Sequence, residues 1–126
     1  MSKTTLKKIL VVDDDPGDVS WLKKVLSSDY VVLEADDGLQ AVEMAHIEKP
    51  DLILMDVMMP KTSGYTACVR IKSDHYTKDI PVVMVTGLCQ ELNRKFGKEM
   101  GADGYLVKPL QPNQLRNAIA RFLSAT

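Results

Sequence analysis

Four short apolar runs in this sequence end in side chains that can bind a cation, grip phosphate or react. "ILVV" (9–12) is followed by Asp13, Asp14 and Asp15, and "LILM" (52–55) by Asp56. "PVVMV" (81–85) is followed by Thr86 and Gly87, and "GYLV" (104–107) by Lys108 and Pro109. A carboxylate at the end of a buried run is costly unless it has a partner, an open site or a chemical task. Carboxylates brought together repel, which raises their proton affinity, and a divalent cation relieves the repulsion. Magnesium suits such a site, because it takes a few carboxylates, keeps several waters and accepts phosphate oxygens. Neither the two cysteines nor the two histidines fall at these run ends, so a thiolate- or imidazole-preferring metal fits poorly. A carboxylate is also a nucleophile that can form an aspartyl-phosphate. Phosphoryl transfer asks mainly for positioning and charge stabilisation. Asp56 is the best nucleophile because it stands alone at its run end. Asp13 and Asp14 are placed as a metal pair. Lys108 and Thr86 offer an ammonium and a hydroxyl to phosphoryl oxygens.

Such a site requires elements that bring these ends to one edge. The β-branched runs at 8–12, 30–35, 51–55, 81–86 and 104–108 read as strands, and helical spacing fills the intervals. The first helix opens at Pro16 behind an Asp15 cap and repeats Val19, Leu22, Val25 and Leu26. A second runs from about Gly38, after the turn residues Asp36 and Asp37, and a third covers about 64–72. A fourth covers about 91–100 and stops at Gly101, a C-terminal cap glycine. The last begins near Pro112 and repeats Leu115, Ala118 or Ile119, and Phe122. Five strands alternating with helices indicate an α/β fold with a doubly wound parallel sheet, whose ligands bind beyond the carboxyl ends of the strands.

With 126 residues, the chain has room for one domain and not two. A net charge of -1 argues against non-specific nucleic-acid binding and against a polybasic membrane patch. No apolar run approaches the ~18 residues of a membrane span, and the "MSKTTLKK" start is not a secretory signal. Cys68 and Cys89 lack metal or redox spacing, so a reduced, cytoplasmic chain is the simplest expectation.

"ILVVDDD", "PDLILMDVMMPKTSGY", "IPVVMVTG" and "GADGYLVKPL" together resemble the receiver domain of two-component response regulators, in order, spacing and residue type. The resemblance extends over about 8–122 and points to a stand-alone, chemotaxis-type regulator with 1–126 as a single receiver domain, core about 8–123. It implies the flavodoxin-like (βα)5 strand order 2-1-3-4-5; a receiver protein is a standard example of that order. It further implies that Asp56 is the phospho-acceptor, that Asp14 binds Mg²⁺ directly and Asp13 through a metal-bound water, and that the backbone carbonyl of Met58 is a main-chain ligand. Thr86 matches the hydroxyl that moves toward the phosphoryl group, Lys108 the lysine that pairs with it, and Tyr105 the aromatic that swings inward on activation. Lys108-Pro109 matches a cis peptide. Gly87 stands where alanine is common, which would loosen the loop and leave more room for Tyr105. Leu110 stands where many members have phenylalanine, and Met58 and Leu88 flank the site as an apolar shield. The implied partners are a histidine kinase or histidine phosphotransfer protein upstream and a target protein bound through the fourth helix, fifth strand and fifth helix. Direct nucleic-acid contact and membrane insertion are not expected.

Two other readings compete. A phosphorylation-independent pseudo-receiver would lack some of the acids, the threonine or the lysine, and all are present. A small Mg²⁺-dependent phosphohydrolase would use an Asp-x-Asp pair, which Asp13 and Asp15 provide, but it needs a substrate cap that this sequence has no room for. Plainer roles suit the remaining polar and aromatic residues. Trp21 and Cys68 read as helix packing, His46 and His75 as surface positions, and Arg94, Lys95 and Lys98 as a solvated basic stretch.

Overall fold

The strand runs alternate between two apolar faces, and this period of two builds the fold. The computed structural model describes residues 6–57, 59, 63–87, 95 and 98–124. Strands β1 (Lys8–Val12), β2 (Val31–Ala35), β3 (Leu52–Asp56), β4 (Val82–Thr86) and β5 (Gly104–Val107) form one sheet in the order β2-β1-β3-β4-β5. All pairings are parallel, with Ile9 opposite Leu52, Asp56 opposite Val85 and Thr86 opposite Val107. Ile9, Val11, Leu52, Leu54, Val83 and Val85 point to one face. Helix α1 (Pro16–Leu26) and the C-terminal helix (Pro112–Ser124) cover it with Leu22, Leu26, Leu115 and Ile119. Leu10, Val12, Ile53, Met55 and Met84 point to the other, under α2 (Gly38–Glu48) and α3 (Gly64–Ser73). These two helices bury small side chains, Ala41, Ala45, Ala67 and Cys68, which lets them approach the sheet closely.

Local signals act where they were expected. The Asp15 carboxylate accepts from the Gly17 amide, and the Asp37 carboxylate from the Gln40 amide, each satisfying an otherwise orphaned helix donor. Gly101 has φ +99, the left-handed conformation of a helix-ending glycine. Of the expected fourth helix only residues 95 and 98–100 are described, and 98 and 99 are helical. Strand boundaries differ by a residue. The third strand begins at Leu52 rather than Asp51, because Asp51 Oδ2 accepts the Lys8 amide at 2.8 Å as a side-chain clasp on β1. It ends on Asp56 itself, so this carboxylate grows from a wholly buried strand. The Lys108-Pro109 peptide is cis.

Candidate functional site

The carboxyl ends of β1, β3, β4 and β5 meet at a cleft of about 310 Å³ lined by Asp13, Asp14, Asp56, Thr86, Lys108 and, from α1, Asp18. Several contributors are held by backbone bonding. The Asp13 amide bonds Ala35 O at 3.1 Å, and the Lys108 amide bonds Thr86 O at 2.8 Å, carrying the β4–β5 ladder one residue past the strand. Behind Asp56, the Gly64 amide bonds Val57 O at 3.0 Å and starts α3 against the strand end. A Cβ at Gly64 would lie 2.0 Å from the Asp56 carbonyl oxygen, so this close approach requires glycine.

The side chains then converge. Asp13, Asp56 and Thr86 are 5%, 8% and 1% exposed, whereas Asp14 reaches solvent. One carboxylate oxygen from each of Asp13, Asp14 and Asp56 lies within 4.8 Å of the others. This all-oxygen, three-carboxylate set fits a hard divalent cation such as Mg²⁺, with room for waters or phosphate oxygens. Lys108 Nζ lies 3.0 Å from Asp13 Oδ2, 2.7 Å from Asp18 Oδ2 and 3.7 Å from Asp56 Oδ1. Burial and the neighbouring Asp13 push the Asp56 carboxyl up to about 6; Lys108 pulls it down and Asp14 pushes it up again. Burial alone would lower the Lys108 ammonium, but its hydrogen bonds to Asp18 and Asp13 and the charge of Asp56 outweigh that and raise it. The site thus holds an excess of negative charge around the firmly protonated Lys108, an arrangement suited to gripping a cation and a phosphoryl group together.

Asp13, Asp14, Asp56, Thr86 and Lys108 all come to this edge, as the run ends predict. Met58, Leu88, Cys89 and Arg94 lie outside the described residues, so the expected main-chain ligand, apolar shield and part of the basic stretch have no structural account. Asp15, half of the Asp-x-Asp pair of the phosphohydrolase reading, spends its carboxylate on the Gly17 amide and donates its own amide to Asp13 Oδ1 at 2.9 Å. Tyr105 is half-buried against the α2–α3 side of the core, and its hydroxyl hydrogen-bonds that of Tyr65. A Cβ at Gly87 would meet nothing within 4 Å, so the glycine stands in open space in this structure. Trp21 and Cys68 pack as expected, the latter fully buried with its thiol pushed up to about 11 by burial. His46 sits on the surface and pairs with Asp74 at 3.1 Å.

Asp18 and Tyr65 are the residues that sequence reasoning missed. Asp18 is an acid in a helix's first turn, a position where dipole complementation is an ordinary role. A signal was present, because helical side chains tilt toward the N-terminus, and the N-terminus of α1 faces the strand ends.

Comparison with known proteins agrees with this geometry. The family model of the response regulator receiver domain matches residues 9–120. The chain spans about half the length of several curated relatives it matches. One is the probable transcriptional regulator ycf27 of Guillardia theta, 40% identical over 97% of this chain and 47% of that protein. Protein PilH of Pseudomonas aeruginosa is 38% identical over 94% of this chain and 99% of its own length. Among solved structures, the receiver domain of the sensor histidine kinase PA1611 from Pseudomonas aeruginosa, with a magnesium ion coordinated in its active-site cleft, superposes with a TM-score of 0.89. It is 29% identical and covers 95% of this chain and 99% of that one. Among the described residues no helix is long and apolar enough to cross a membrane.

Proposed function

The chain belongs to the response regulator receiver domain family, the phosphorylation-activated switches of two-component signalling, and from that premise we propose that Asp56 is its phospho-acceptor. The observation that carries this assignment is the convergence of the Asp13, Asp14 and Asp56 carboxylate oxygens within 4.8 Å beside the Lys108 ammonium. The proposed receiver core is residues 8–123. In the proposed step an Asp56 oxygen attacks the phosphorus of a phosphohistidine on a histidine kinase or phosphotransfer protein. The P–N bond breaks, its electron pair leaves with the imidazole, and an aspartyl-phosphate remains. The domain thereby catalyses its own modification rather than turnover of a free substrate.

Mg²⁺ held by Asp13, Asp14 and Asp56, with the Met58 carbonyl as a further proposed ligand, would supply positive charge to the phosphoryl oxygens. The chain's own residues do the rest. Lys108 contributes a second positive charge, and the Thr86 hydroxyl offers a hydrogen bond. Burial of β3 holds Asp56 in place.

The switch reading assigns Thr86 and Tyr105 to the response. A phosphoryl group shifts a conformational balance only through contacts that differ between two states. Moving a population from 1:99 to 99:1 takes about 5.5 kcal/mol. Charge-assisted contacts of about 1.5–3 kcal/mol each, to Thr86 and Lys108, supply much of it. Tyr105 then changes the surface made by the fourth helix, β5 and the C-terminal helix, where a downstream target protein binds. The proposed place of action is the cytoplasm, with no direct nucleic-acid contact or membrane insertion, and the buried free thiol of Cys68 suits a reducing compartment.

Intact-mass spectrometry after exposure to acetyl phosphate and Mg²⁺ tests the assignment. One added phosphoryl group is expected on the natural protein and none on Asp56→Asn or in EDTA. Addition to Asp56→Asn would move the acceptor elsewhere. A folded natural protein that takes no phosphoryl group from acetyl phosphate or from a phosphorylated histidine protein would favour phosphorylation-independent binding.

A further inference from the structure

Lys108 is not centred in the cleft. Its Nζ makes hydrogen bonds to Asp18 Oδ2 at 2.7 Å and Asp13 Oδ2 at 3.0 Å, while Asp56 Oδ1 stands off at 3.7 Å. Asp13 belongs to the oxygen cluster suited to a cation, and Asp18 does not. A cation engaging that cluster therefore competes for Asp13 and leaves the Asp18–Lys108 pair standing. The carboxylate of Asp18 is 41% exposed, against 4% for Asp13, so solvent alone could satisfy it. Asp18 and Lys108 also line a second, apolar cavity of about 480 Å³ with Trp21, Leu22, Val85 and Pro109. The ion pair is thus the partition between the acidic cleft and that cavity.

We infer that Asp18 is a positioning residue that acts through Lys108, holding the ammonium back from Asp56 and thereby slowing phosphoryl acceptance. The inference rests on the assignment of Asp56 and Lys108 above. An ammonium has three donors, and here two are committed to acids other than the acceptor. A phosphoryl group arriving on Asp56 must draw Nζ toward itself, and the shortest of the lysine's contacts is the one to be stretched or shared. The charge of Asp18 opposes an incoming dianion in the same sense, so both effects slow the step. Acetyl phosphate is the phosphoryl donor in the test. Asp56 attacks phosphorus, the P–O bond to the acetyl group breaks, and its electron pair leaves as acetate.

The experiment compares the full chain with Asp18→Asn, following the rate of phosphoryl addition from acetyl phosphate by quenched intact mass. Mg²⁺ affinity is measured in parallel from the fluorescence of Trp21, which lines the cavity beside the pair. Acceptance is expected to quicken about three- to tenfold, the scale of one partly exposed charge-assisted contact, with Mg²⁺ affinity changed less than about twofold. In a Lys108→Ala background the same substitution is expected to quicken acceptance by less than about twofold, because only the direct charge effect of Asp18 is left. Should that background accept too slowly to measure, Asp18→Glu decides, because a retained charge keeps the slow rate. An unchanged or slower Asp18→Asn, equal acceleration without Lys108, or a fast Asp18→Glu would overturn the inference while leaving Asp56 as acceptor. Absence of phosphoryl addition to both the natural protein and Asp18→Asn, each shown folded by circular dichroism, would bring down the parent assignment and this inference with it.

Discussion

The two ends of the sheet carry charge in opposite ways. At the amino end, each of two acids is matched by the donors around it. Asp103 Oδ2 accepts both Lys72 Nζ and the Val82 amide at 2.8 Å, Lys72 also caps Ile80 O at 2.9 Å, and Asp51 Oδ2 accepts the Lys8 amide at 2.8 Å. Every one of these contacts ties a strand start to a neighbouring element. At the carboxyl end Asp13, Asp14, Asp18 and Asp56 line one cleft with Lys108, the one lysine among its described lining residues, and two of the acids are buried. The first end is satisfied and therefore structural. The second is left with carboxylate repulsion that a bound cation relieves, and it is the end where perturbed groups gather.

The sharpest way to break this comparison is Asp56→Asn, which is expected to abolish phosphoryl addition and yet stabilise the chelated protein at neutral pH. Asp56 holds its proton up to about 6 in the folded state against 3.8 ordinarily. As pH rises from about 4 to 6 the unfolded chain therefore gives up this proton before the folded one does, and folding stability falls through that window and levels off above it. The variant should lack this contribution and gain about 1–3 kcal/mol at pH 7 in urea melts with EDTA, the difference vanishing below about pH 4. Equal stability of the two proteins across that range would mean that the acidic end is not strained.

Gly64→Ala tests whether α3 holds Asp56 in place. With a Cβ 2.0 Å from the Asp56 carbonyl, either the strand end or the helix start must shift. A loss of about 1–3 kcal/mol is expected, together with a slower phosphoryl addition rate. A variant with normal stability and rate would show that the approach of α3 is not what positions the acceptor.

The amino end should respond in the reverse sense. Asp103→Ala leaves Lys72 and the Val82 amide without their shared acceptor, and should cost about 1–2 kcal/mol in a urea melt. Its phosphorylation rate should match that of the natural protein, and an altered rate would couple the two ends. The smallest effect belongs to Glu48→Gln, which removes a half-exposed pairing with Lys8 at 3.7 Å and should shift stability by less than about 0.5 kcal/mol.

Much of the fold is legible in the chain because its signals are local or periodic. The alternation of β1 and β3 sorts their side chains to two faces, Asp15 and Asp37 cap the helices they precede, and Gly101 takes the left-handed turn. The strand-end residues Asp13, Asp14, Asp56, Thr86 and Lys108 were legible for a related reason: parallel strands joined by right-handed crossovers put their carboxyl ends on one edge. Asp51 was misread as the start of a strand because its role depends on a backbone amide that lies 43 residues away.

By itself, the sequence determined which side chains stand at the strand ends, since strand period, caps and turns depend on neighbours along the chain. Only the tertiary structure decided how they share one positive charge. That Lys108 leans on Asp18, 90 residues away, rather than on Asp56 depends on differences of about 1 Å between competing oxygens. No local rule sets such distances; they follow from where α1 and β5 come to rest against the same sheet.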